Sequence, residues 1–172
     1  MLGIPAAEAA LLTSSLMVAW AIGGPVFGWL SDRLQNRKGL YLGGCALAVA
    51  GWMTIILLPG LSLPLMTLTI LATGFSSGCM ILSFAFAKES VPRELAGTIS
   101  GVINMGVMSG PMILQPAVGH LLDRLWTGEM ADGIRLYTAE SYRQGFALML
   151  AWIILSLLLL LFTKETGCRQ QA

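Results

Sequence analysis

The chain has 172 residues, of which 56% are hydrophobic and 11% are charged. Because a water-soluble domain carries about 25% charged residues, this composition excludes an ordinary soluble globule. A formal net charge of +1 offers no basic surface for nucleic acid, and three scattered cysteines are too few for a disulfide framework or a metal site.

Four stretches of the chain contain no Asp, Glu, Lys or Arg: Ala9–Ser31, Gly39–Ala87, Leu95–Leu122 and Gln144–Thr163. A helix needs about 20 apolar residues to cross a hydrocarbon core about 30 Å thick. The second stretch has 49 residues, enough for two crossings, and Pro59-Gly60 marks a reversal near its middle. Since backbone groups in lipid must be hydrogen-bonded within their own segment, the sequence predicts an all-α integral membrane protein. Its five transmembrane helices are, in chain order, 9–31, 39–58, 65–87, 96–122 and 145–163.

Polar and small residues form a stripe along three of these spans when successive residues are placed 100° apart. Spans one, three and four carry such stripes, whereas spans two and five do not, so we expect the first group to line an interior and the second to face lipid. The candidates for contact with a solute are Thr13, Trp20, Thr73, Ser76, Asn104 and Gln115. Two alternatives remain: the amides of Asn104 and Gln115 could hydrogen-bond to neighbouring helices, and Trp20 could serve packing alone.

The basic residues are distributed unevenly between the loops. Seven of the ten Lys and Arg residues fall in the first loop, the third loop and the C-terminal tail. Because cytoplasmic loops are enriched in Lys and Arg, we expect the N-terminus outside and the C-terminus in the cytoplasm. The membrane we expect is the inner membrane of a bacterium.

The ends of spans one and four share the pattern P-x-x-G-x-L-x-D-R-L, at residues 25–34 and 116–125. The copies lie 91 residues apart and are separated by three spans, so one ends on each side of the membrane. This is the signature of an inverted three-helix repeat, a building plan of secondary transporters. The alternative is that both segments are merely similar helix ends.

The segment from Gly28 to Lys38 resembles the conserved loop of the major facilitator superfamily, G-x-L-x-D-R-x-G-R-[RK]. It departs from that pattern by one extra residue and by Asn36 in place of the second glycine. Because Asn tolerates the left-handed conformation, we expect Asn36 to preserve the turn. The segment Lys164-Glu165-Thr166-Gly167 after the last span adds to the resemblance.

The resemblance implies that residues 1–172 are part of a C-terminal bundle and correspond to helices 8–12 of a twelve-helix transporter. The N-terminal half and one further helix would then be missing. It also implies a gating loop formed by Gly28, Asp32, Arg33, Arg37 and Lys38, with Gly119, Asp123 and Arg124 as its repeat counterpart.

The gating residues also have a physical interpretation. Gly28 would allow close helix contact, Asp32 would accept hydrogen bonds or face a helix N-terminus, and the basic side chains would pair with acids or lipid phosphates. The alternative is that these charges only fix the topology.

We therefore expect secondary transport of a small solute by alternating access. The alternative is a non-transporting membrane subunit that assembles with a separately encoded half. No catalytic set or phosphate-binding loop is present in the sequence, so an enzyme is not expected and no cofactor is implied. The expected partners are the solute, membrane lipid and the missing half. A proton or another ion is the candidate for coupling, through a carboxylate in the missing helices.

Overall fold

The computed structural model describes residues 5–58, 60–131 and 133–170. These residues form six helices, a two-stranded hairpin and two short 3-10 helices, at Gly78–Met80 and Arg93–Leu95. The α-helices are α1 (Ala6–Leu34), α2 (Arg37–Leu57), α3 (Leu63–Ser77), α4 (Ile81–Glu89), α5 (Ala96–Arg124) and α6 (Ala139–Leu161). The antiparallel strands are β1 (Met130–Ala131) and β2 (Ile134–Arg135).

Five segments of the described chain are long and apolar enough to cross a membrane, which confirms the predicted all-α membrane fold. They are Ala7–Leu34, Arg37–Leu57, Leu63–Glu89, Arg93–Arg124 and Ala139–Leu161. The last begins before the predicted residue 145 because the helix continues through its charged first turn. There the hydroxyl of Thr138 caps the helix by accepting from the Ser141 N–H at 3.1 Å.

The third span is one membrane crossing built from α3, a 3-10 helix and α4, an interruption that the sequence did not predict. At this interruption, α1 and α3 come into backbone contact. A Cβ atom at Gly78 would lie 2.5 Å from the backbone nitrogen of Gly24, and one at Gly23 would lie 2.1 Å from the carbonyl oxygen of Phe75. Glycine is therefore required at this crossing, as at other close helix contacts in membranes.

The close approach expected at Gly28 is not formed within the described chain. A Cβ atom there would meet nothing within 4 Å, because the crossing with α3 lies one turn earlier, at Gly23 and Gly24. Gly28 lies instead on the wall of an open cavity beside α1.

The third span is the centre of the bundle. It contacts α1 on one side and α2 on another, α2 also contacts α6, and α6 contacts α5, which returns to α4. Buried side chains join these neighbours in two clusters, one around Phe27, Cys79 and Leu82 and one around Val49, Ile56 and Leu150. In contrast, α5, which is described over its full length, has no buried residue, so most of that length forms an open face of the bundle.

Candidate functional site

The first loop turns differently from the expectation. Gln35 adopts the left-handed conformation (φ 51°), while Asn36 is extended (φ −136°) and caps α2 by accepting from the Gly39 N–H at 2.7 Å. The prediction that Asn36 supplies the left-handed residue is therefore wrong. Because the loop has one extra residue, Gln35 forms the left-handed turn and Asn36 caps α2. Asn is well suited to capping a helix N-terminus.

Arg37 is the hub of a charged cluster at the end of the bundle where this loop lies. Its guanidinium Nη1 is 2.8 Å from Asp32 Oδ1, and its Nη2 is 2.8 Å from Glu89 Oε1. Nη1 also donates to the hydroxyl of Ser31. The side chains of Arg37 and Glu89 are 10% and 13% exposed, against 65% for Asp32. One buried guanidinium therefore ties the ends of α1, α2 and α4 together.

Glu165, in the C-terminal tail, completes this arrangement at the start of α2. Its carboxylate oxygens accept from the backbone N–H of Arg37 at 3.0 Å and of Lys38 at 2.7 Å. Since Asn36 also accepts from the Gly39 N–H, the first three backbone N–H groups of α2 all have acceptors. These N–H groups have no partner inside the helix and carry its partial positive charge, so a carboxylate is favoured there.

The pKa of Glu165 reflects two opposing effects. Partial burial raises this pKa, but backbone N–H donors of Gly167, Arg37, Lys38 and Thr166 outweigh the burial and bring the pKa below its usual value. Asp32 was one candidate for the carboxylate at a helix N-terminus, but at the N-terminus of α2 that carboxylate is Glu165. Asp32 pairs with the Arg37 guanidinium instead.

The end of α6 and the tail make further contacts with the first turn of α2 and the last turn of α4. The ammonium of Lys38 donates to the carbonyls of Leu161 at 2.8 Å and Thr163 at 2.7 Å, at the C-terminus of α6. The Thr166 hydroxyl donates to Glu89, and the Gln170 amide donates to the Lys88 carbonyl at 3.0 Å. We call the set Asp32, Arg37, Lys38, Glu89, Glu165 and Thr166 the Arg37 cluster.

Arg33, the remaining basic residue of the predicted gating loop, does not join the cluster. Its guanidinium lies 5.3 Å from the ring centroid of Trp29, one turn earlier on α1.

At the opposite end of the bundle, the second copy of the repeat forms a similar but exposed ion pair. Asp123 Oδ1 accepts from Arg135 Nη1 at 2.7 Å and from the Tyr137 hydroxyl at 2.7 Å. The hydrogen bond to Asp123 raises the pKa of Tyr137. Arg135 also lies 4.6 Å from the ring centroid of Trp126. In both copies, the aspartate of the D-R pair therefore binds an arginine that follows it in the chain.

The predicted solute-contacting residues do not form one group. Thr73 and Ser76 are 1% and 2% exposed. Their hydroxyls donate to carbonyls of their own helix, those of Thr69 and Thr73 respectively, and a Cβ atom at Gly51 of α2 would lie 2.0 Å from the Thr73 hydroxyl. These two residues lie at helix contacts rather than on an open surface.

The other candidates are exposed on α1 and α5. Trp20 is 41% exposed and borders a cavity of about 370 Å³ between α1 and the third span. Thr13 is exposed and donates to the Ala9 carbonyl at 3.0 Å. Asn104 and Gln115 are exposed on α5, as are Gly119 and Arg124 near its end.

Sequence reasoning missed Glu89 and the role of Glu165. Both are acidic residues that directly flank an apolar span, at its cytoplasmic end under the predicted topology. Their position beside a span was the only sequence signal for a role in this cluster. No local pattern could pair them with Arg37, which is 52 residues from Glu89 and 128 residues from Glu165.

Comparison with known proteins identifies one family and several relatives of the chain. The family described as Major Facilitator Superfamily matches residues 1–171. Monocarboxylate transporter 12 of Xenopus laevis is 30% identical over 158 residues, which are 90% of this chain and 32% of that protein. A chloramphenicol resistance protein of Pseudomonas aeruginosa is 32% identical over 130 residues, 74% of this chain and 30% of that protein.

The human monocarboxylate transporter 12 is 30% identical over 156 residues, 89% of this chain and 28% of that protein. No solved structure matches the chain at a significant level. The chain spans about a third of the length of the curated relatives it matches. Its five apolar helices, its repeat and this match over nearly every residue lead to one conclusion: the chain is an integral membrane protein that belongs to the major facilitator superfamily.

Proposed function

We propose that the chain is the C-terminal portion of a secondary transporter that moves a small solute by alternating access. The observation that carries this proposal is the family match over residues 1–171 combined with coverage of only 28–32% of the relatives' length. In this account the five spans correspond to helices 8–12, and an N-terminal half and one further helix complete the transport pathway.

The Arg37 cluster acts as a latch that holds one end of the transporter closed. Its ion pairs join α1, α2 and α4 through a single guanidinium, so movement of α1 relative to α4 must break at least one of them. Opening this end replaces these contacts with water, and closing it restores them, which is the behaviour that alternating access requires of a gate.

The solute passes between this bundle and the missing half, along the open faces of α1 and α5. Trp20, Thr13, Asn104 and Gln115 are the contacts in this account, because their side chains are exposed on helices that lack a neighbour on that side within the described chain. Thr73 would require separation of α2 and α3 to reach a solute, and Ser76 is equally buried, so we give both a packing role.

The Arg37 cluster faces the cytoplasm of a bacterial cell in this proposal, and the Asp123–Arg135 pair faces outward. Seven of the ten basic residues lie at the cluster end, in agreement with the positive-inside rule. The five predicted spans lie within the charge-free stretches and so contain no Asp, Glu, Lys or Arg. Coupling to a proton or another ion would therefore use a group in the missing helices.

Uptake into proteoliposomes tests the proposal. The transporter that contains this chain as its C-terminal part should take up a solute saturably, and the 172-residue chain alone should not. The names of the relatives make a monocarboxylate and chloramphenicol the first solutes to measure.

The latch is tested in the same assay with Asp32→Asn. Loss of one of the two ion pairs to Arg37 should lower the maximal rate about tenfold while the amount of reconstituted protein stays the same. Arg33→Gln is the matched control, since Arg33 has a ring contact but no place in the cluster. Saturable uptake by the chain alone would refute the assignment as a portion, and an unchanged rate for Asp32→Asn would refute the latch.

A further inference from the structure

A second cavity, of about 350 Å³, lies between α2 and α6 at the end of the bundle opposite the Arg37 cluster. It is bounded by the last turns of α2, the loop to α3 and the first turns of α6. We call it the α2–α6 cleft, and its lining includes Trp52, Ile55, Leu61, Met66, Tyr142, Arg143 and Phe146. This cleft plays no part in the latch or in the proposed solute pathway.

The cleft is open because α2 and α6 are held together elsewhere along their length. Val49 and Leu150 are buried in the same cluster near mid-membrane, and Lys38 binds the carbonyls at the C-terminus of α6. From Trp52 towards the end of α2, the side chains of the two helices do not fill the space between them. A water-filled apolar cleft within lipid would be unfavourable, so a hydrophobic occupant is expected.

The chemistry of the lining changes along the cleft. Ile55, Ile56, Leu61 and Met66 provide an apolar wall, whereas the charged group at the rim is Arg143. The Arg143 side chain is 43% exposed, and its ion pair to Glu140 is long, at 3.9 Å. Its guanidinium has five N–H donors, so it retains donors for an additional anion.

The depth of this rim in the membrane favours a lipid. Arg143 lies one turn inside the start of α6 at Ala139, where an apolar span enters the headgroup region. Trp52 and Tyr142 border the same cleft, and aromatic residues of this kind concentrate at the membrane interface. A phosphate at this level and an acyl chain below it match the order of charged and apolar groups in the cleft.

We propose that the α2–α6 cleft is a specific binding site for a phospholipid. One acyl chain fills the apolar wall between α2 and α6, and the phosphodiester accepts hydrogen bonds from the guanidinium of Arg143. This site depends only on the membrane location of the chain, so it stands or falls independently of transport.

Native mass spectrometry of the 172-residue chain in detergent, after removal of bound lipid, tests the site. Added phosphatidylglycerol should give a one-to-one complex, whereas inorganic phosphate and a long-chain alcohol, each of which supplies one half of the lipid's chemistry, should bind at least tenfold more weakly. Arg143→Gln should weaken phosphatidylglycerol about tenfold through loss of charge-assisted hydrogen bonds. Ile55→Trp should weaken it as well by filling the cleft.

Arg124→Gln is the control, because Arg124 is an exposed arginine at the same end of the bundle but does not line the cleft. Equal binding by the wild type, Arg143→Gln and Ile55→Trp would overturn the proposal, as would inorganic phosphate binding as tightly as the lipid. Photocrosslinking of the unmodified chain with a diazirine on the lipid's acyl chain provides a test that needs no variant. Adducts should map to residues that line the cleft, and adducts confined to other helices would overturn the site.

Discussion

At the residue scale, Arg37 is the residue of the Arg37 cluster that joins the most elements. It is 10% exposed and pairs with carboxylates from two different helices, while its own backbone N–H binds a third carboxylate from the tail. Removing one partner from a buried charge group is costly because the remaining charges lose their compensation. The consequence is a strong and testable asymmetry between the arginines of the first loop.

Arg37→Gln should lower the free energy of unfolding by about 3 kcal/mol, since Glu89 would keep a buried charge without its guanidinium. Arg33→Gln should change it by about 0.5–1 kcal/mol, the value of an exposed cation–aromatic contact. Reversible unfolding of the chain in detergent micelles measures both. Equal losses for the two variants would contradict the structural role assigned to Arg37.

Glu165 predicts a pH dependence for the docking of the tail. Its pKa is lowered in the folded chain, so the ionised carboxylate stabilises the docked tail above the ordinary glutamate pKa of about 4.3. This contribution should be lost as the pH falls through the lowered value. Amide hydrogen exchange at Arg37 and Lys38, corrected for intrinsic rates, should show protection that declines in that range.

Glu165→Gln provides the control for this titration, because its amide cannot ionise. The variant should have weaker protection at neutral pH and no step on acidification. A step of the same size in the variant would assign the pH dependence to another group.

At the element scale, the decisive feature is the contact between α1 and the interrupted third span. Helices in lipid gain little from apolar burial alone and rely on close packing of small residues. A Cβ atom at Gly78 would meet the backbone of Gly23 and Gly24, whereas one at Gly101 on α5 would meet no atom of another described element within 4 Å. Substitution by alanine should therefore change the free energy of unfolding in opposite directions at these two glycines.

Gly78→Ala should destabilise the isolated chain by about 1–3 kcal/mol, because the new methyl group forces α1 away from the third span. Gly101→Ala should stabilise it by about 0.5–1 kcal/mol through higher helix propensity. Thermal unfolding followed by circular dichroism compares them directly. Destabilisation of similar size by both changes would mean that the two helices do not cross at Gly78.

At the scale of the whole molecule, the sequence predicted the membrane crossings well and the long-range pairing poorly. The number of spans follows from a physical requirement for about 20 apolar residues, so charge-free stretches locate them. The pairing of Glu165 with the start of α2 involves groups 128 residues apart, and no local pattern encodes it. The same limit applies to the burial of Thr73, whose polar stripe looked like part of a pathway but contacts α2.

The remaining differences between prediction and structure have separate causes. The 3-10 helix at Gly78–Met80 arises at a tertiary contact, and the hairpin Met130–Ala131 with Ile134–Arg135 is too short for periodicity to detect. In the first loop, Gln35 rather than Asn36 takes the left-handed conformation, because the capping preference of Asn competes with its tolerance of that conformation. The conformation of this loop therefore depends on which of two favourable roles Asn36 adopts.

The central claim is that the two copies of the repeat lie at opposite faces of the membrane. Single cysteines at Gln35 and at Glu129, both exposed, test it in a background in which Cys45, Cys79 and Cys168 are replaced. A membrane-impermeant maleimide applied to intact cells should label Glu129→Cys at once and Gln35→Cys only after the membrane is permeabilised. Labelling of both positions from the same side would contradict the account.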